Sequence, residues 1–151
     1  MVPFFVLLIS TLLLRLIGAV GVSPLNSWAL CLRGGLTLMF LLTASAHWGK
    51  RRRDLIAMVP GVFPRPDLIV SATGVLELLG AVGLLIPGTA PVAAGCLTVL
   101  LMAMFPANIR AAQGHLKIGD TPATPLPLRA LLQFVFIIAL IIAGFPGAFR
   151  L

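Results

Sequence analysis

The chain has 151 residues, of which 60% are hydrophobic and 10% charged, and its mean hydropathy is +1.12. A soluble domain of this length cannot bury so much apolar surface, so the composition excludes an ordinary water-soluble protein and predicts a membrane protein. The formal net charge of +7 would suit nucleic-acid binding, but the basic residues lie where membrane topology would put them, and we expect no nucleic-acid partner.

Five apolar runs, each about 18 residues or longer, predict membrane-spanning helices. Together they indicate an all-α integral membrane bundle that forms a single domain over residues 1–151. The runs lie at residues 2–22, 28–48, 68–86, 92–112 and 128–148. The two longest connections, residues 49–67 and 119–127, are interpreted as loops.

The first run could instead be a signal peptide, because the small residues of "GAVGVS" would suit cleavage. Its apolar stretch is too long for a signal peptide, and no basic segment precedes it. We therefore favour a retained N-terminal helix.

The distribution of lysine and arginine predicts the orientation. The segment "GKRRRD" (residues 49–54) and Arg65 lie between spans two and three, and Arg110, Lys117 and Arg129 surround the loop between spans four and five. The other two loops, "SPLNS" and "PGTAP", carry no Lys or Arg. The positive-inside rule then places the N-terminus in the cytoplasm and the C-terminus outside, in a bacterial-type cytoplasmic (inner) membrane.

Glu77 interrupts the apolar third span, "SATGVLELLGAVGLLIPG". At about 1.5 Å per residue it lies roughly 15 Å from Asp67, near the bilayer midplane. An ionised carboxylate is costly at that depth, so Glu77 is expected to be protonated or paired and to face protein rather than lipid. Intramembrane carboxylates often mark functional sites, which makes Glu77 the first candidate ligand-binding residue.

Few polar groups are available as partners for Glu77. Arg33 in span two is the preferred charge partner, and Arg15 in span one comes out at a similar depth. His47, Asn108 and Gln133 lie nearer the predicted cytoplasmic end, where they would continue a polar column to the midplane. The alternative is that these side chains only hydrogen-bond helices to one another.

The two cysteines, Cys31 and Cys96, should both lie near the outer ends of their helices. A disulfide or a quinone-coupled thiol pair is geometrically conceivable there. We favour the simpler interpretation, in which both are unbonded small residues at helix contacts.

Several known motifs are absent. The sequence contains no Walker loop, dinucleotide fingerprint, CxxC or HExxH, so nucleotide binding, dithiol redox chemistry and zinc hydrolysis have no local support. We expect no metal site.

Five segments resemble the DoxX-like membrane proteins in their order and spacing. They are "ASAHW", "MVPGVFPRPD", "SATGVLELLGAVGLLIPGTAPVAAG", "MFPANIRAA" and "PLRALLQ". The resemblance covers roughly residues 32–142. It implies a four-helix core to which the first span is an addition, and it places His47, Glu77, Asn108 and Gln133 at the family's polar positions. The family is functionally mixed: it includes a small subunit resembling that of thiosulfate:quinone oxidoreductase, partners of thiol-based oxidative-stress enzymes, and relatives of a receptor-assembly chaperone.

Two function classes follow from these features. The first is an accessory subunit of a membrane redox or oxidative-stress system, with a small-molecule pocket around Glu77 for which a quinone is a candidate. Its partner would be a redox enzyme or another membrane protein. The second is a non-catalytic assembly or scaffold protein. The sequence also leaves open that the protein forms a homo-oligomer. A small-solute transporter is disfavoured because no internal repeat is present, and the sequence does not decide whether the protein is an enzyme.

The predicted orientation can be tested by cysteine labelling. In a protein whose Cys31 and Cys96 are replaced by Ala, Lys50→Cys should react with a membrane-impermeant maleimide only once the cytoplasmic side is opened. Gly88→Cys, in the loop that carries no charge, is the matched control and should react in intact cells. Labelling of position 50 in intact cells would contradict this topology.

Overall fold

The computed structural model describes residues 1–114, 117–118, 121–122 and 124–149. Within these residues, five helical segments are long and apolar enough to cross a membrane, which indicates a membrane protein. A short 3-10 helix covers Ser23–Asn26, and strands β1 (Lys117–Ile118) and β2 (Thr121–Pro122) form a small antiparallel pair. The α-helices of the described residues are α1 (Val2–Ala19), α2 (Trp28–Ser45), α3 (Arg52–Met58), α4 (Pro66–Leu85), α5 (Ala90–Ala103), α6 (Phe105–Gln113), α7 (Leu126–Gly144) and α8 (Pro146–Phe149).

The predicted spans are confirmed as helices, but the fourth is divided. α5 and α6 meet at Met104, and a single candidate span runs through both helices from Ala90 to Gln113. Pro106 explains the break, because proline has no N–H to donate to the carbonyl one turn earlier. Asn108 lies in the first turn of α6, directly after this break.

The expectation of a plain loop at residues 49–67 is wrong for Arg52–Met58, which form α3. A segment of seven residues is too short to show helical periodicity in the sequence. Arg52, the first residue of α3, bonds to the segments on both sides of this helix. Its Nη1 donates to the carbonyl of His47 at 2.7 Å, and its Nη2 donates to the carbonyl of Asp67 at 3.2 Å and to Ser71 Oγ at 3.0 Å. One guanidinium thereby ties the end of α2 to the beginning of α4.

Four helices form a closed ring. α2 packs against α4 and α7, and α5 also contacts both α4 and α7, while α1 lies against α2 outside the ring. We call the end of the bundle where α2 ends and α4 begins the basic end, because residues 49–53 lie there.

The half of the ring away from the basic end is closely packed by small residues. A Cβ added at Gly80 of α4 would lie 2.5 Å from Leu97 of α5, and one added at Gly144 of α7 would lie 2.6 Å from Ala94 Cβ. Leu84, Leu97 and Leu140 are almost completely buried here. Without side chains at the glycine contacts the helices can approach closely, and van der Waals packing of this kind is what holds membrane helices together.

Arg15 of α1 does not approach Glu77. Its Nη1 donates to Asn26 Oδ1 at 3.0 Å, and its guanidinium carbon lies 5.3 Å from the centre of the Trp28 ring. Asn26 belongs to the connection between α1 and α2 and Trp28 is the first residue of α2, so both partners lie at the end opposite the basic end. The long side chain therefore carries its charge out of the apolar helix towards that end, as arginines near helix ends commonly do.

Cys31 and Cys96 are both free, as expected. Cys31 is fully buried, and its Sγ donates to the carbonyl of Leu25 at 3.1 Å. Cys96 is exposed on α5, so the expectation that it lies at a helix contact is wrong.

Close packing at Gly80 can be tested by a single methyl group. Gly80→Ala should lower stability by about 1–3 kcal/mol, the usual cost of overpacking, because Leu97 is buried and has little room to move. Gly95→Ala is the matched control, since a Cβ there meets nothing within 4 Å. Thermal unfolding in detergent should show a lower midpoint for Gly80→Ala alone. Equal midpoints for the two variants would contradict the packing.

Candidate functional site

The half of the bundle towards the basic end encloses a cavity of about 860 Å³. Its lining comes from the helices α1 to α7 and from the segments beside them, and it extends from Glu77 to the exposed residues Lys50 and Arg51. Most of the lining is apolar. The polar side chains of the lining are those of Thr43, Ser45, His47, Lys50, Arg51, Thr73, Glu77, Asn108 and Arg129.

Glu77 is buried inside the bundle, with 2% of its surface exposed, and His47 is nearly as buried at 6%. Their Oε1 and Nε2 atoms lie 3.5 Å apart, which is an ion-pair distance but long for a hydrogen bond. The other carboxyl oxygen, Oε2, accepts a hydrogen bond of 2.6 Å from Thr43 Oγ1. The prediction that Glu77 faces protein and has a polar partner is therefore confirmed.

The position of His47 depends on Gly74, which lies three residues before Glu77 on α4. A Cβ at Gly74 would lie 2.7 Å from His47 Cβ and 2.8 Å from its Cγ, so glycine leaves the room that the His47 side chain needs against α4. The ring is held there by a contact of 2.6 Å between its Nδ1 and the carbonyl of Val70. Thr73 Oγ1 lies 3.4 Å from the same nitrogen.

Asn108 and Gln133 form a second polar group. Asn108 Nδ2 donates to Gln133 Oε1 at 3.2 Å, and Arg129 Nη1 donates to Asn108 Oδ1 at 2.8 Å. Arg129 is also fixed by a bond from its Nε to the carbonyl of Thr124 at 2.9 Å. Asn108 and Arg129 line the cavity, while Gln133 stands behind Asn108 and fixes its amide orientation.

Arg33 is not the charge partner of Glu77, and that preference is wrong. Its Nε donates to the carbonyl of Ala143 at 2.8 Å, near the end of α7 away from the basic end. The reason is the register of α2 against α4. Thr43 meets Glu77, so Arg33, ten residues earlier, lies about 15 Å further along the helix. Arg33 is not part of the cavity lining.

Thr43 and Arg129 are site residues that the sequence reasoning missed. Thr43 precedes His47 by four residues, a spacing that places two side chains on one face of a helix, and this signal could have identified it. The sequence pattern predicts only that Arg129 flanks a basic loop. Its role depends on the meeting of α6 and α7, which no local pattern reveals.

The site can hold a proton or bind a polar group. The Glu77 carboxyl group contacts the His47 imidazole and the Thr43 hydroxyl at the inner end of the cavity. The Asn108 amide and the Arg129 guanidinium form a second polar group. The apolar surface between them suits a ligand with an apolar body and hydrogen-bonding oxygens.

Burial alone would lower the pKa of His47, which lies just beyond the end of α2. The close polar contact with Glu77 and its negative charge, together with the Val70 carbonyl, outweigh burial and the nearby Arg52 charge, so the pKa of His47 is raised above its usual 6.5. A raised pKa means that the folded state binds this proton more tightly than the unfolded state. The stabilisation is complete below 6.5 and is lost as the pH rises through the raised value.

We therefore expect the thermal midpoint of the protein in detergent to fall as the pH is raised above 6.5. His47→Asn should remove this dependence and lower stability at acidic pH by about 1–3 kcal/mol, because Glu77 loses its buried partner. The chain has two histidines, and His115 is retained in this variant, so the comparison isolates His47. An identical fall in the variant would rule out the His47–Glu77 pair as its source.

Comparison with known proteins gives one family match. No curated protein and no solved structure matches the chain. The matched region is residues 36–145, from within α2 to the end of α7, so α1 lies outside it. Because the match covers well over half of the chain, the protein belongs to the family described as "Domain of unknown function (DUF8561)".

Proposed function

We propose that the protein binds a small amphiphilic molecule of the quinone class in its cavity and serves as an accessory subunit of a membrane redox system. The observation that carries this proposal is the buried Glu77–His47 pair at the inner end of a largely apolar cavity. A polar pair that served only to join two helices would not need an open space beside it.

The size and lining of the cavity support a ligand of this class. Small-molecule sites usually have volumes of about 300–1,000 Å³, with mainly apolar walls and a few placed polar groups. The cavity of about 860 Å³ lies within that range. A quinone ring with part of an isoprenoid tail needs a cavity of this size with apolar walls and a few polar groups.

The polar groups also match the chemistry of a quinone. Its two carbonyl oxygens accept hydrogen bonds, and the site offers donors in two places. His47 or Glu77 can donate at the inner end when it carries a proton, and Arg129 and the Asn108 amide carry N–H groups on α7 and α6. A ligand between the two groups would have an oxygen near each.

The resemblance to the DoxX-like proteins adds support. A ring of four helices, with α1 outside it, is in keeping with the four-helix core expected of that group. Its members include accessory subunits of redox enzymes, so the partner proposed here is a membrane redox enzyme. We further propose that the basic end faces the cytoplasm, on the charge argument above.

The proposal predicts that a short-chain quinone stabilises the folded protein. Ligand that binds only the folded state adds about 2.7 kcal/mol at a hundredfold excess over its dissociation constant, so the thermal midpoint in detergent should rise. Glu77→Gln and His47→Asn should each weaken the effect about tenfold in quinone concentration, as expected for the loss of one good hydrogen bond.

Thr98→Val provides the matched control. Thr98 donates to the carbonyl of Ala94 within its own helix, and it does not line the cavity. This variant should respond to quinone as the unaltered protein does. No shift at saturating quinone, with the protein still folded, would overturn the redox-ligand proposal and leave the assembly role ahead.

A further inference from the structure

The hydrogen bonds of His47 determine which of its nitrogens carries the fixed proton. Nδ1 lies 2.6 Å from the carbonyl of Val70, and a carbonyl oxygen can only accept, so Nδ1 carries a hydrogen in every charge state. In the neutral ring, Nε2 therefore presents its lone pair to Glu77 Oε1, 3.5 Å away. In the protonated ring the same atom presents an N–H.

The carboxyl side of the pair accommodates a proton equally well. Thr43 Oγ1 lies 2.6 Å from Glu77 Oε2 and 3.1 Å from the carbonyl of Phe40, but it has one hydrogen to donate. When Glu77 is ionised, Thr43 donates to Oε2. When Oε1 is protonated, its O–H points to the lone pair of His47 Nε2, and Thr43 still donates to Oε2. Either arrangement satisfies every group.

The surrounding charges favour a single proton in the pair. From α3, Arg52 faces the carbonyl of His47, and Lys50, Arg51 and Arg129 line the cavity, in which Glu77 is the one carboxyl group. A second proton would give the pair a positive charge among these cations. Loss of the only proton would leave a carboxylate facing an imidazole lone pair in an apolar surrounding.

We propose that Glu77 and His47 share one exchangeable proton and deliver it to an anionic oxygen of a ligand bound in the cavity, with Thr43 as the positioning residue. This inference rests on the proposed function, because it assigns a role to the same cavity. In the step, the N–H bond of His47 or the O–H bond of Glu77 breaks and an O–H bond forms on the ligand. Nothing is oxidised or reduced in this step, because the acceptor is an oxygen that is already anionic, such as that of a quinone reduced by the partner enzyme.

After the step the pair carries one negative charge, and water at the basic end supplies the replacement proton. The cavity extends from Glu77 to the exposed Lys50 and Arg51, so the pair and the basic end share one continuous space.

The sharing of the proton can be tested without any ligand. Nitrogen NMR of histidine-labelled protein, with His47→Asn to assign the signals, should show Nδ1 always protonated and Nε2 titrating above 6.5. Glu77→Gln should lower the pKa of His47 below 6.5, because burial remains and the negative charge is removed. Thr43→Val should lower it to a smaller extent, and Thr98→Val should leave it unchanged.

Delivery of the proton can be tested with a soluble hydroxynaphthoquinone, whose coloured anion bleaches when it is protonated. At a pH where the free probe is ionised, binding to the unaltered protein should remove the anion band. Glu77→Gln should still bind the probe, as shown by a rise in thermal midpoint, but should leave the band in place.

The outcomes separate the two proposals. A rise in midpoint with the band unchanged in the unaltered protein would overturn proton delivery while the proposed function stands. No rise with any quinone would overturn the proposed function and delivery with it. An Nε2–H tautomer with Nδ1 unprotonated, or a His47 titration that Glu77→Gln does not alter, would overturn the shared proton itself.

Discussion

A carboxyl group in the middle of an apolar helix must be neutralised or paired, because the surrounding side chains cannot solvate its charge. In this protein Glu77 of α4 meets that requirement through Thr43, which lies in α2, and His47, which follows α2. The register between these two helices therefore depends on the pair. Gly74 and Arg52 serve the same arrangement: one leaves room for the imidazole, and the other ties the chain after α2 to the start of α4.

One half of the bundle is closely packed, and the other half contains the cavity. Away from the basic end, glycines and alanines bring α4, α5 and α7 into close contact, and large side chains such as Leu84 and Leu140 are fully buried. Towards the basic end lies the cavity, and both the break at Met104 and the helix α3 contribute to its lining. Close packing in one half supplies rigidity, so the other half can keep an open site without loss of the fold.

The arginines within the apolar helices show how such a bundle handles charge. Arg15 is directed to the end of the bundle where α1 ends and α2 begins, and it contacts Asn26 and Trp28 there. Arg33 bonds to the carbonyl of Ala143 near the end of α7. Arg129 lies one turn inside α7 at the basic end, and there it orients Asn108. All three lie within about a turn and a half of a helix end, where a long side chain can keep its charge away from the hydrocarbon. Glu77 has a shorter side chain and lies in the middle of its helix, so it requires a partner inside the bundle.

The sequence alone determined the class of protein, the number of long apolar helices and the special status of Glu77. These features follow from local composition, since an apolar run of sufficient length has few alternatives to a membrane helix. It also identified His47 and Asn108 as lining residues. Tertiary structure decided which polar groups meet. Depth counted along separate helices placed Arg33 near Glu77, but the packing of α2 on α4 offsets the two by about 15 Å and brings Thr43 and His47 there instead. The helix α3 and the cavity depend on contacts between distant segments, and no local pattern contains that information.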